Sequence, residues 1–422
     1  MNVTLVIPSR NNLKYVKFAY NSIRTHLGDD VEVILLDDAS TDGTWSWMLS
    51  EQNLNTKIYR NEGPERIGHT VLYDIGAKMA RNEVFGIFHA DMIATPNYLK
   101  NMMKHVKRGT VVSGTRIEPP LHPPGPEKLV ENFGLEPEEF QMTQFLDFVS
   151  QQEVVNKDKT TSGIFAPWIM YVEDLLSIGG HDKRVFAPME LEDSDLFNRF
   201  KLAGYQFVQS RDAFVYHMTC RGSRFKDGVQ IVQEIPVGGG KVWKRSKDSD
   251  EYTTLRQIKF REWWRKWHMN VLHDEMMMPR VCKRYDVGFV IHNISHNNHQ
   301  LLHLLEPWCD NLYSTLHEWQ KEMYVKQEES VSHFKIGSKL RSPKPSENFT
   351  NDILVEFRAE EFRREHYQFI ENLMFIIEDS ATEIGNFEHD IFTFTVNKIE
   401  SYSKNLINAD DPWYVSKLKQ RI

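Results

Sequence analysis

Strand-like and helix-like patterns alternate through roughly the first half of this 422-residue chain. That alternation restricts the fold more than any other feature, because it demands a sheet with helices packed on its faces. Val3, Leu5 and Ile7 alternate in a short run ended by Pro8 and predict a first strand. Leu13, Val16, Tyr20 and Ile23 recur at three- and four-residue spacing and predict a helix closing near Gly28. Val31 to Leu36 is almost continuously apolar, as expected of a strand covered on both faces. Further strands are expected at 58–59, 84–88, 110–113, 206–209 and 213–216, with helices over 67–81, 96–106, 138–151 and 193–203. Residues 117–126 hold five prolines in ten positions and break the rhythm as a stiff loop.

Later segments follow other patterns. Residues 236–252, with Gly238–Gly240 in a row among lysines, read as a mobile basic loop, either a lid or a linker. Residues 257–278 place Phe260, Trp264, Trp267 and Val271 on one helical face, with Lys259, Arg261, Arg265 and Lys266 around it. Such a helix either packs its aromatic stripe on a neighbour or lies on a membrane surface, where it would suit a lipid-linked acceptor. From residue 283 a β-α-β-β-α-β order appears, interrupted by a polar insertion around 325–351, and suggests a ferredoxin-like α+β module. The expected domains are therefore 1–235, 236–282 and 283–422.

Composition narrows the class. Hydrophobic residues at 41% and charged residues at 26% mark a globular chain, and a net charge of −8 argues against a nucleic-acid partner. No apolar run approaches the roughly 18–20 residues that span a bilayer, and the N-terminus lacks the features of a signal peptide. Three cysteines with no C-x-x-C pair make no disulfide framework. A cytoplasmic location is expected, with membrane contact only at the periphery.

Four groups of residues could carry chemistry. Asp37-Asp38-Ala39-Ser40 follows a buried strand, where ligands of open α/β sheets sit, and equally suits a helix cap. His89-Ala90-Asp91 ends another apolar strand; it could hold a divalent cation, or cap the turn before Pro96. Glu190, Glu192, Asp193 and Asp195 crowd one helix start. Their mutual repulsion calls for a cation or a cationic substrate group, and crowding raises at least one carboxyl pKa toward that of a general base. His217 leaves a strand just ahead of Arg221 and Arg224, as a metal ligand beside a phosphate clamp would, though a lone histidine is more often structural than a ligand.

The order of these groups resembles glycosyltransferase family 2, with its GT-A fold that binds nucleotide-diphospho-sugars. The matching stretches are Val6 to Asn12, Leu35 to Thr44, Phe88 to Asp91 through Leu99, Ile178 to Asp182, Glu192 through Tyr205, and Val215 to His217. The resemblance covers about residues 1–225 and implies an α/β mixed sheet flanked by helices. By the same resemblance, Asp38 reads the nucleobase, with Pro8, Ser9 and Arg10 lining the nucleotide pocket. Asp91 and His217 hold Mn2+ or Mg2+, Asp193 is the catalytic base, and Arg221 and Arg224 assist the diphosphate. His89 stands where the family's first acid of D-x-D touches the donor, a departure that bears on metal choice. The implied reaction is inverting sugar transfer from a nucleotide-diphospho-sugar, a UDP-sugar foremost, to a carbohydrate, lipid-linked or protein hydroxyl. A retaining transferase, or a glycan-binding module without catalysis, are the alternatives. A sugar-1-phosphate nucleotidyltransferase would need a glycine-rich first loop that Pro8-Ser9-Arg10-Asn11 does not supply.

Overall fold

The computed structural model describes residues 2–219, 234–237, 240–243, 249–295, 299–343, 349–380 and 383–419. They fall into two compact units. The first holds Met1–Lys183, Ala187–Thr254 and His273–Pro279; the second holds Arg184–Phe186, Leu255–Leu272 and Arg280–Ile422.

The first unit is built on one mixed sheet. Its order runs Thr56–Asn61, Glu32–Asp38, Val3–Ser9, Val84–Ile87, Trp168–Tyr171, Thr110–Glu118, Gln206–His217 and Met92–Ala94. The first four of these strands are parallel, with Val3–Ser9 between Glu32–Asp38 and Val84–Ile87. The chain therefore leaves the central strand to either side, and the crevice at the carboxyl ends of such strands is where ligands of open sheets bind. Val3, Leu5, Val6 and Ile7 have no exposed surface, and neither do Val33, Ile34, Leu35 and Leu36. Both faces of these strands are covered, which explains their unbroken apolar runs. Helix Leu13–Leu27 buries Val16, Tyr20 and Ile23 of its predicted stripe, with Ala19 beside them, and leaves Leu13 half-buried. Helix His69–Met79 lies so near the sheet that a Cβ on Gly76 would meet Val6 Cγ1 at 2.4 Å.

Two details differ from the sequence expectations. The runs at 206–209 and 213–216 form one strand, Gln206–His217, with a register shift between Gln209 and Phe214. In the glycine-rich segment, Glu234–Val237 and Gly240–Trp243 pair as antiparallel strands. Gly238 and Gly239 lie outside the described residues.

The second unit carries a smaller sheet, ordered Leu340–Arg341, Asn311–Ser314, Val287–His292, Ile353–Arg358, Phe392–Val396 and Gly385–His389. The expected ferredoxin-like order is wrong. Val287–His292 pairs parallel with both Asn311–Ser314 and Ile353–Arg358, and Asn311–Ser314 pairs parallel with Leu340–Arg341. A ferredoxin-like module would alternate directions, whereas here helices Gln300–Leu305 and Glu318–Val331 follow the first two parallel strands. Helix Glu318–Val331 partly falls in the region read as a polar insertion, because its charged residues hide the periodicity.

The basic aromatic helix is a packing element of this unit. Trp263, Lys259, Arg265, Lys266 and Trp267 are buried, and Trp264 stacks on Trp308 with ring centroids 5.1 Å apart. Arg265 donates to Glu306 at 2.7 Å and to Glu262 at 2.9 Å. Arg261 also pairs with Glu328, Lys259 donates to the Val185 carbonyl and Lys266 lies over the Tyr414 ring. These cations turn to internal partners instead of a lipid surface, so the membrane reading of 257–278 does not hold. No helix among the described residues is long and apolar enough to cross a membrane.

Candidate active site

A cleft of about 380 Å³ opens at the carboxyl ends of the central strands. Its lining includes Pro8, Ser9, Arg10, Asp38, His89, Asp91, Asp193 and His217. Eight sequence-predicted positions, drawn from across two hundred residues, therefore meet in one place. Arg221 and Arg224 lie outside the described residues.

Strand pairing explains the meeting of Asp91 and His217. Met92–Ala94 pairs antiparallel with the end of Gln206–His217, which sets His217 opposite Met92. His217 Nε2 comes to 3.5 Å from Asp91 Oδ1. A tight turn, closed by the Met92 N–H on the His89 carbonyl at 3.2 Å, swings His89 to the same side. Its ring centroid is 5.5 Å from that of His217. One ligand atom from each of His89, Asp91 and His217 lies within 4.8 Å of the others, a set of two imidazoles and a carboxylate able to hold a divalent cation. The parallel neighbour Thr110–Glu118 ends level with His217, and His217 Nδ1 donates to Glu118 at 3.0 Å. That bond fixes the ring and turns Nε2 toward Asp91. Lys128 and Arg116 hold Glu118 in turn, at 2.9 and 3.4 Å.

The charges here are strongly mixed. Burial pushes the His89 pKa down, and positive His217 beside it adds to that, leaving it at about 3. His89 is therefore a neutral imidazole at physiological pH, the form that ligates metals. Burial also opposes the charge of His217, but Asp91 and Glu118 outweigh it and hold its pKa at about 9, so a cation binding beside Asp91 must displace the Nε2 proton for this ring to ligate it.

The acidic helix start forms the opposite wall. Glu190 and Leu191 both have left-handed backbone, with φ of 83° and 67°. This conformation costs energy for residues with a Cβ and turns the chain sharply into helix Glu192–Leu202. The four acids then go to different places. Glu190 accepts from the Tyr252 hydroxyl, and Glu192 pairs with His69. Asp195 takes Arg199 Nε at 2.8 Å with both side chains fully buried, and Arg199 also donates to the Ile178 and Gly180 carbonyls. The expected external cation is thus unnecessary for three of the four. Asp193 is different: its bonds within the fold come from Ser194, the backbone N–H at 2.6 Å and the hydroxyl at 3.5 Å. Burial, followed by the neighbouring charge of Glu192, raises its pKa to about 7. That value poises Asp193 to exchange a proton near neutrality.

Several cleft residues had no signal in the sequence. Asp38 accepts from Asn61 Nδ2 at 2.8 Å, from the Ile67 N–H at 2.9 Å and from the Gly68 N–H at 2.9 Å. Its carboxylate thereby anchors the loop 61–68 and carries Arg66 into the cleft. Burial lowers the pKa of Arg66; Asp38 opposes that shift and the charge of Arg10 adds to it. Arg10 itself donates to the Asp38 carbonyl at 2.6 Å. Among the described residues, Arg66 Nε, Ser9 Oγ and Glu192 Oε2 are buried without a hydrogen-bond partner. Buried polar atoms of this kind are suited to a ligand rich in oxygens and hydroxyls. Loop 187–191 approaches from the other side, and a Cβ on Gly68 would sit 1.8 Å from the Pro188 carbonyl oxygen. Only the proximity of two loops, far apart in sequence, brings Arg66, His69 and Glu192 together. Trp168 lines the cleft but is 2% exposed and packs edge-on against Phe85, so it belongs mainly to the core.

No curated protein matches the chain. Similar solved structures include GalNAc-T7 with UDP, GalNAc and Mn2+, 15% identical over 51% of this chain and 44% of that one, with a TM-score of 0.39. Another is the mannosyltransferase PcManGT from Pyrobaculum calidifontis in complex with GDP-Man and Mn2+, 20% identical over 51% and 56%, with a TM-score of 0.36. A third is S. aureus TarS 1–349, 16% identical over 51% and 60%, with a TM-score of 0.36. The matched region spans about half the length of these proteins. Residues 4–167, all within the unit that carries the cleft, match the family model described as Glycosyl transferase family 2.

Proposed function

We propose that the first unit moves a glycosyl group from a nucleotide-diphospho-sugar, a UDP-sugar foremost, to an acceptor hydroxyl with inversion at the anomeric carbon. One observation carries the reading: Asp193, with its pKa near 7, and the His89–Asp91–His217 cluster line the same cleft. Asp193 takes the proton of the acceptor hydroxyl as that oxygen attacks the anomeric carbon. The bond from this carbon to the diphosphate breaks, and its electron pair leaves with the phosphate oxygen. With a pKa near neutrality, the carboxylate is both present in quantity and basic enough to accept the proton.

The three ligating side chains fit Mn2+ or Mg2+, and two imidazoles favour Mn2+. A divalent cation bound there would neutralise charge on the leaving diphosphate. Arg10 and Arg66 supply further positive charge in the nucleotide pocket, with Ser9, Pro8 and Asp38 beside them. Arg221 and Arg224 are assigned to the diphosphate by the sequence resemblance alone. Carbohydrate, lipid-linked and protein hydroxyls are the acceptor classes, and the setting is cytoplasmic.

Turnover of a panel of nucleotide-diphospho-sugars in Mn2+ tests the reading. Asp193→Asn should lose at least about 1,000-fold in turnover while binding donor within a few fold, and NMR of the product should show the inverted anomer. Near-normal turnover by Asp193→Asn removes the base, and a retained anomer removes the single-displacement step.

A further inference from the structure

The second unit contains a cavity of about 190 Å³ that plays no part in the chemistry above. Basic side chains dominate its lining: Arg265, Lys266, Arg284, Lys339, Arg341 and Lys417. The one acid in the lining, Asp310, is already committed. Arg284 grips it with two bonds of 2.9 and 3.0 Å, and Lys417 reaches it at 3.2 Å. Arg265 and Lys339 turn to Glu306, at 2.7 and 2.6 Å. Lys335 and Arg341, both exposed, form no ion pair among the described residues. The lining therefore keeps a surplus of positive charge after its own carboxylates are counted.

A second observation points to a ligand. His268 is 1% exposed and lines the cavity. Arg284 Nη2 lies 3.0 Å from His268 Nε2. A guanidinium can only donate, so Nε2 accepts and the ring proton sits on Nδ1. Among the described residues that buried Nδ1–H has no hydrogen-bond partner. Burial, and the charge of Arg284 next, keep the ring neutral and this tautomer in place. His268 also has left-handed backbone, with φ of 51°, at the end of helix Asp250–Trp267. A strained backbone that holds an unpaired donor among cations is costly to build, and an acceptor-rich anion recovers that cost.

We propose that this cavity binds the phosphate group of a small phosphorylated molecule. The volume holds one phosphate with part of its ester, since a water takes about 30 Å³. His268 Nδ1–H, Lys335 and Arg341 meet the phosphate oxygens, and Trp413 and Tyr414 offer apolar walls to the rest of the molecule. The cavity lies at the amino ends of the parallel strands, by Arg284, Asp310 and Lys339, opposite to the usual crevice of such sheets, so charge and not fold type defines it.

Calorimetry on the full chain tests this, in EDTA at constant ionic strength, with inorganic phosphate, a sugar phosphate and a nucleoside monophosphate as separate probes. One saturable site is expected, weakened at least tenfold in the Lys335→Glu/Arg341→Glu double variant. Both residues are exposed, and circular dichroism would verify the fold. His268→Phe should weaken it likewise, and Asp91→Ala should leave it unchanged. The tightest of the three probes identifies the source of the phosphate. Lack of saturable binding by every probe, unaltered binding in the double variant, or loss of the site in Asp91→Ala would each overturn the proposal.

Discussion

Asp193→Asn should stabilise the first unit, and the gain should depend on pH. The native carboxyl titrates at about 7 against 3.8 in the unfolded chain, a rise of roughly three units. At about 1.36 kcal/mol per unit, the ionised group costs the fold about 4 kcal/mol. Water entering the open cleft screens part of this, so about 2 kcal/mol is the working figure. The sign follows from a raised native pKa. Below about pH 4 both states are protonated and the side chain makes no difference. As pH rises, the unfolded chain ionises first and the native protein loses stability until the native group has also ionised, just above pH 7. Asparagine does not titrate and can still accept the Ser194 N–H through its amide oxygen. Urea unfolding in EDTA at pH 5 and pH 8.5, following the transition of the first unit, should give a gain for Asp193→Asn that is clearly larger at pH 8.5. A variant no more stable than the parent at pH 8.5, or a gain equal at both values, would show that the carboxyl is not held near neutrality and remove the physical basis for a base at this position.

Other perturbations test the scaffold. Arg199→Met leaves Asp195 as an uncompensated buried charge and should cost about 3–5 kcal/mol by urea unfolding; a loss below 1 kcal/mol would mean the pair is not buried as described. Asp74, with His181 and Lys183 against it, stays at about 2 despite its burial. Its stabilisation is present above the unfolded value near 3.8 and is lost as pH falls through 2, so Asp74→Asn should cost about 2 kcal/mol at pH 7 and progressively less in acid. Gly68→Ala must fit a Cβ against the Pro188 carbonyl at a φ of 80°, and a cost of about 2–4 kcal/mol with impaired donor binding is expected in a melting and binding comparison.

The first unit was largely legible because its signals are local. Apolar runs such as Val31–Leu36 are long and unbroken when a strand is covered on both faces, and acids such as Asp38 and Asp91 fall at strand ends where ligands sit. Arg66, His69 and Glu118 were not legible. Each matters through a partner distant in sequence: Asp38 holds the loop of Arg66, Glu192 meets His69, and strand register sets Glu118 beside His217. The acidic cluster was legible as a cluster but not in its division of labour, which depends on Tyr252 and Arg199 reaching particular members. In the second unit the order of elements was mostly visible and their directions were not. Strand direction follows from pairing, and a one-dimensional pattern of apolar residues is the same for parallel and antiparallel neighbours.

The central claim is that His89, Asp91 and His217 form a cation site that works together with the nucleotide pocket. Titration of UDP and GDP into the full chain by calorimetry, with and without Mn2+, and again in Asp91→Ala, measures it directly. Mn2+ should tighten binding of at least one nucleotide tenfold or more in the parent chain and leave Asp91→Ala unaffected. Equal Mn2+ enhancement in both proteins, or the absence of binding by either nucleotide, would contradict it.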